Sequence, residues 1–216
     1  MEIKLIDISG IEAVEVAASL PYNSKQSTKL VKNVIASNHL SILRHAQASF
    51  LLTNVSQSML RQLSRHPHIN LTVKSSRYCN MLNHQLYCPE GNLKPNSTSR
   101  DDDVVEYFKD LKTIMGIYTK WKEYEGETKE FDVAKLFLPL ASTTDVVVSG
   151  NLQALLEFCW LRNCVRAEKE IKEVSNQISN ILSEQVPFFG KIGCRFDWSG
   201  KCPEGKMACT KGRKNE

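Results

Sequence analysis

The chain has 216 residues, of which 42% are hydrophobic and 24% charged, a composition ordinary for a soluble globular protein with one full core, with or without an appendage. A formal net charge of +4 suits an anionic small molecule as well as nucleic acid and decides between neither. No run approaches the roughly 18 apolar residues of a membrane span, and Met1-Glu-Ile-Lys-Leu-Ile lacks the long apolar stretch of a signal peptide; the cytoplasm is therefore the default compartment, and the seven cysteines point to free thiols or a metal site over disulfides.

Residues 1–8 alternate weakly and read as a short strand. Leu30, Val31, Val34 and Ile35 recur at helical spacing, predicting an amphipathic helix over about 25–38. A second strand is expected from Gln47 to Thr53. Asn54 or Ser56 then caps a helix whose Val55, Met59 and Leu63 share a face, with Arg61 and Arg65 together on another and Gln62 beside His66. Residues 84–100, rich in Asn, Pro, Ser and Gly, read as a surface loop. Asp101-Asp-Asp opens a helix to about Tyr124, with the stripe Val104, Phe108, Leu111, Met115, Tyr118 and Trp121 and acidic residues suited to its positive end. Another helix is expected from Asp132 to Pro139, and a short extended piece over Asp145–Ser149. Asn151 caps one long final helix, closed by Pro187, in which Ile171, Val174, Ile178, Ile181 and Leu182 give the clearest helical period. From Gly190 glycine, lysine and cysteine replace aliphatics. The expected organisation is a main domain over 1–189 and a cysteine- and lysine-rich tail over 190–216, ending in a solvated basic stretch (Lys206, Lys211, Arg213, Lys214). The fold class is mixed α and β (α+β), a mixed sheet flanked by long helices.

The segment from Arg61 to Tyr78 carries the chemistry. It gathers Arg61, Arg65, His66, His68, Lys74 and Arg77 with several hydroxyls, and Pro67 ends a helix nearby. Such a segment is costly to bury and well suited to holding a phosphorylated ligand. Trp121, Trp160 and His45 read most simply as packing residues, and Cys79, Cys88 and Cys159 as inert thiols.

With these residues in view the chain resembles the flavin-dependent thymidylate synthases. Four landmarks occur in order: Asn38-His-Leu-Ser-Ile-Leu-Arg-His45; Arg65-His66 followed by Ser75 and Arg77-Tyr78; Leu138-Pro139-Leu140; and Leu161-Arg162, with Asn151 between the last two. The resemblance implies that family's α/β fold, a homotetramer with its ligands between subunits, and conversion of dUMP to dTMP with methylenetetrahydrofolate as carbon donor and NADPH as reductant through FAD. It assigns dUMP binding to Gln62, Arg65, Ser75, Ser76, Arg77, Lys135 and Arg162, and FAD binding to His39, Ser41, His66 and Asn151. A phosphate dianion needs several cationic and hydroxyl donors, which Arg65, Arg77 and Ser75 supply. Arg162 is the catalytic residue by the same resemblance, since a fixed guanidinium beside uracil N3 favours the imide anion.

The chain departs from the family pattern mainly on the flavin side. Arg44 stands where a glutamate is usual, Pro67 where the signature has its last arginine, Gln153 for an arginine and Glu157 for an asparagine; Lys135 replaces an arginine and Val73 a polar or acidic residue. These departures keep two alternatives open: a relative that modifies a pyrimidine nucleotide differently, such as a hydroxymethylase, and a non-catalytic nucleotide- or RNA-binding protein. Little aromatic interleaving surrounds Arg61–Arg77, so no stable nucleic-acid partner is expected. Cys164, Cys194, Cys202 and Cys209 form a candidate four-thiolate structural zinc site joining the tail to the last helix.

Overall fold

A computed structural model describes residues 1–89, 100–126 and 130–213. Most of the loop expected over 84–100 lies outside the described residues, as does Lys214 of the basic end. The architecture is mixed α/β, with helices flanking a four-stranded sheet of order β1-β2-β4-β3, where β1 is Glu2–Ser9, β2 Gln47–Ser56, β3 Ile69–Val73 and β4 Thr143–Asn151. Strand β3 had no counterpart in the sequence reading. Ser49 faces Ser149 and Asn54 faces Asp145, so β2 and β4 run antiparallel. Among the described residues no helix is long and apolar enough to cross a membrane.

Strand β2 buries Ala48, Phe50 and Leu52 in alternation, then shifts phase so that Val55 and Ser56 are buried. The shift falls at Asn54, whose φ of 55° is left-handed, a conformation its short polar side chain tolerates. The Asn54 backbone N–H donates to Asp145 Oδ1 at 3.1 Å. The extra residue sets the phase with which the chain enters the next helix.

The chain divides into two compact units. One comprises Met1–Glu2, Leu52–Arg65 and Leu71–Val147. It holds α3 (Gln57–Leu63) and α4 (Arg100–Glu125). Ser56 Oγ caps α3 by accepting the Met59 N–H at 3.0 Å. The helix stops at Leu63, so Arg65 lies beyond it and shares no helical face with Arg61; nor is His66 on a helix beside Gln62. The polypeptide needs the turn at Pro67 and left-handed His68 to reverse into β3. On α4, Leu111 and Tyr118 are buried and the rest of the expected stripe is half-buried. Tyr118 packs with Met81 and Ala134, and Trp121 stacks on Phe137 with ring centroids 5.6 Å apart, the packing role expected for that tryptophan. The helix expected over 132–139 is only a 3-10 turn, Ala134–Phe137. Pro139 blocks its continuation, and Glu125 at the end of α4 accepts the Val133 and Ala134 N–H groups at 2.7 and 3.0 Å.

The other unit comprises Ile3–Leu51, His66–Asn70 and Val148–Glu216. Helix α1 (Ile11–Ser19), which small residues hide in the sequence, starts from left-handed Gly10. A Cβ on Gly10 would lie 2.3 Å from the His45 carbonyl oxygen, so only glycine allows this approach. Helix α2 (Thr28–Ala36) buries Val31 and Ile35. The single final helix of the sequence reading is two: α5 (Leu152–Arg162) and α6 (Lys169–Gln185). The break serves the tail, because Asn163 Nδ2 donates to Ser179 Oγ at 2.8 Å and to the carbonyls of Ile192 and Gly193 at 3.3 and 3.4 Å. Ile171, Val174, Ile178 and Leu182 of α6 are fully buried. The tail is structured as far as it is described, with α7 (Arg195–Ser199) and α8 (Thr210–Arg213).

Candidate active site

The expected phosphate-binding residues of the first unit lie mostly on a turn following β3. Ser75 Oγ accepts the Arg77 N–H at 3.2 Å, and the Ser75 carbonyl accepts the N–H groups of Tyr78 and Cys79. Ser76 lies in the same turn. The Phe131 N–H donates to the Arg77 carbonyl at 2.7 Å, which ties this turn to the segment carrying Lys135. Two acids that the sequence reading did not single out sit among these cations. Arg77 pairs with Glu130 at 2.7 Å and with Asp132 at 3.0 Å, and Lys135 pairs with Asp132 at 2.7 Å. Lys135 and Arg77 hold the Asp132 carboxyl below its ordinary range, the Lys135 hydrogen bond having the largest effect. Arg77 and Lys135 are thus brought to one place, but an incoming phosphate has to compete with carboxylates. Arg65 is exposed, and Gln62 is half-buried on α3. The Leu138-Pro-Leu140 landmark supports that helix: the Leu140 carbonyl accepts the Ser58 N–H at 3.1 Å.

The second unit holds a cavity of about 800 Å³. His39, Ser41 and His66 line it, as do Arg44, Gln153, Glu157 and Trp160. Asn151 does not; it borders a smaller adjoining cavity, and its side chain caps α5 by accepting the Ala154 N–H at 2.9 Å. Arg44 Nε donates to Gln153 Oε1, and Gln153 Nε2 to Glu157 Oε1, each at 2.8 Å. Tail residues, including Arg195 and Lys211, also line the cavity. Trp160 packs on Trp198 of α7 with centroids 4.8 Å apart. Its indole Nε1 is buried without a hydrogen-bond partner among the described residues. Four cations (Arg44, Arg166, Arg195, Lys211) and three carboxylates (Glu157, Asp197, Glu204) line the cavity. A slightly positive lining of this size fits an anionic ligand.

His66 is half-buried, with its ring edge-on to Phe158 and its Nε2 3.1 Å from the Ala154 carbonyl. A carbonyl only accepts, so Nε2 carries hydrogen and Nδ1 is the acceptor of the neutral ring. Burial lowers the imidazole pKa below 6.5, and the positive Arg162 lowers it further against the pull of Ala154 and Glu157. Arg162 closes α5. Burial lowers its guanidinium pKa, Glu168 opposes that, and its buried Nε has no hydrogen-bond partner among the described residues. A guanidinium with an unspent buried donor is the feature a ligand would satisfy.

Of the four tail-associated thiols, Cys164, Cys194, Cys202 and Cys209, all line the same cavity and none is in a disulfide. Cys164 lies beyond the end of α5, not within a helix. Among the described residues no three His, Cys, Asp or Glu side chains already stand as a metal-holding group.

Comparison with known proteins gives the frame for this geometry. Residues 4–188 match the family model described as thymidylate synthase complementing protein. Similar proteins named flavin-dependent thymidylate synthase include those of Clostridium tetani, 27% identical over 197 residues covering 88% of this chain and 79% of the relative. That of Nitratidesulfovibrio vulgaris is 26% identical over 185 residues, 82% and 72% respectively. That of Thermococcus kodakarensis is 32% identical over 179 residues, 81% and 71%. The chain belongs to the flavin-dependent thymidylate synthase family, as a diverged member. Membership supports an enzymatic role.

Proposed function

We propose that this protein reductively methylates dUMP to dTMP, using methylenetetrahydrofolate as carbon donor and NADPH as reductant through bound FAD, with the fold and homotetrameric assembly of its family and in the cytoplasm. The observation that carries the reading is Arg162: a half-buried guanidinium whose Nε lacks a partner among the described residues, at the position the family resemblance gives to the uracil contact. On this reading Arg162 binds the pyrimidine ring and stabilises its N3 anion, which makes the ring more nucleophilic. Gln62, Arg65, Ser75, Ser76, Arg77 and Lys135 bind dUMP, with Arg65, Arg77 and Ser75 taking the phosphate, and Asp132 and Glu130 keep Arg77 and Lys135 ordered until phosphate displaces them. His39, Ser41 and His66 hold the flavin in the 800 Å³ cavity, which Trp160 also lines, while Asn151, at the smaller adjoining cavity, fixes the start of α5. When bound and reduced by NADPH, the flavin would supply a hydride to the nucleotide. No protein nucleophile is assigned, because Ser75 Oγ accepts a backbone N–H and no base pairs with it among the described residues.

A second reading is favoured by one observation, the Arg44–Gln153–Glu157 chain, which occupies three positions where the family pattern has other residues. A remodelled flavin side suits a relative that leaves a hydroxymethyl rather than a methyl group on the pyrimidine. Incubation of FAD-loaded protein with dUMP, methylenetetrahydrofolate and NADPH, followed by mass analysis of the nucleotide, separates the two. dTMP supports the first reading, a hydroxymethylated nucleotide the second, and unchanged dUMP contradicts both.

A further inference from the structure

We propose that Cys164, Cys194, Cys202 and Cys209 bind one zinc ion as a tetrathiolate structural site that fixes the tail against the end of α5. The tail lies beyond the residues that match the family model, so it is a feature of this chain to be explained in its own right. Three cross-links place the four cysteines around one cavity. Asn163, the neighbour of Cys164, donates to the carbonyl of Gly193, the neighbour of Cys194. Arg166 pairs with Glu204, which draws the Cys202 segment to the turn carrying Cys164. Lys211 pairs with Asp197, which draws the Cys209 segment to the helix opened by Cys194.

Two of these sulfurs, those of Cys194 and Cys202, sit in defined local structure. Cys194 stands at the N-cap of α7 in a reciprocal arrangement with Asp197, the Asp197 N–H meeting the sulfur and the Cys194 N–H donating to Asp197 Oδ2 at 3.0 Å. Cys202 lies against Gly212, where an added Cβ would come 2.8 Å from the Cys202 Cβ and 3.2 Å from its Sγ. The Asp197 N–H at the Cys194 sulfur would offset part of the negative charge of a tetrathiolate zinc centre, as outer partners of metal ligands do. Among the described residues the thiols are not gathered as a metal-holding group; on this proposal the ion draws them together. The four thiols lose their protons to solvent as four S–Zn bonds form, with no change of oxidation state.

The test is metal content of the full chain, purified under reducing conditions from zinc-supplemented cells. One zinc per chain is expected, lost in Cys202→Ser and in Cys209→Ser and kept in Cys88→Ser. Should the serine variants fail to fold, thiol-reactive counting on the unaltered protein decides: a strong chelator should expose four further thiols. Zinc well below one per chain, zinc unaffected by both substitutions, no gain of thiols on chelation, or an intact mass showing a disulfide among these cysteines would each overturn the proposal. None of these readouts depends on flavin or dUMP binding, so the outcome is separate from that of the proposed activity.

Discussion

Arg44 Nε donates to Gln153 Oε1 at 2.8 Å, and Gln153 hands the interaction on to Glu157 at the same distance. Three of the four positions that the family resemblance marks as departures on the flavin side are therefore one hydrogen-bonded chain. A neutral amide sits between a cation and a carboxylate, and Gln153 and Glu157 are four residues apart on one face of α5. Each change makes sense only with the others: an arginine at 153 would face Arg44.

That coupling is measurable. Gln153→Arg sets two guanidinium groups against each other and should lower stability by roughly 0.5–1 kcal/mol, the scale of exposed charge pairs. Arg44→Glu combined with Gln153→Arg should recover the loss. Urea unfolding of the two single variants and the double variant checks this; strictly additive effects would show that the positions are independent.

His66 gives stability a pH dependence of definite sign. Its folded-state pKa lies below 6.5 because burial disfavours the charged ring, so the folded protein binds fewer protons at this site than the unfolded chain. The contribution is fully present above about pH 6.5 and is lost as pH falls through the lowered folded value. Unfolding free energy measured across this range should decline on the acid side, and His66→Gln should flatten the decline.

Arg162→Ala should cut kcat/KM for dUMP by about 10²–10³-fold, the usual cost of removing one donor that stabilises developing charge. The thermal midpoint should hardly move, since the Arg162 Nε makes no hydrogen bond among the described residues. Steady-state kinetics with a melting curve test both halves, and a fully active variant would remove Arg162 from the site.

Asp132 bridges Arg77 and Lys135, and on the proposed reading it competes with substrate phosphate. Asp132→Asn should therefore tighten dUMP binding by roughly three-fold, while Arg77→Ala weakens it by about ten-fold or more. Calorimetric titration of both variants with dUMP and deoxyuridine provides the check; the Asp132→Asn gain should vanish for deoxyuridine, which lacks the phosphate.

Much of this was readable in the sequence where apolar period or a cap signal is strong. The α6 stripe of Ile171, Val174, Ile178 and Leu182, the Ser56 and Asn151 caps and the long α4 were all visible. Helix α1 was not, because Val14 and Ala18 give too small an apolar face to stand out. Strand β3 was hidden inside a run read for its charges. The break between α5 and α6 carries no proline or glycine; it is set by Asn163 bonding to residues 29 and 30 positions away, which no local pattern encodes. At the site, the cations were legible by type. Their carboxylate partners Glu130 and Asp132 were not, because that pairing is a tertiary event more than 50 residues apart in sequence. Their position next to Lys135 was the one available signal.

The central claim is that this chain is a flavin enzyme, and equilibrium titration of the purified protein with FAD, followed by visible absorbance and flavin fluorescence, tests it most directly. Saturable binding of one FAD per chain is the predicted result. Protein that stays colourless, with no saturable change in the flavin signal, would contradict it.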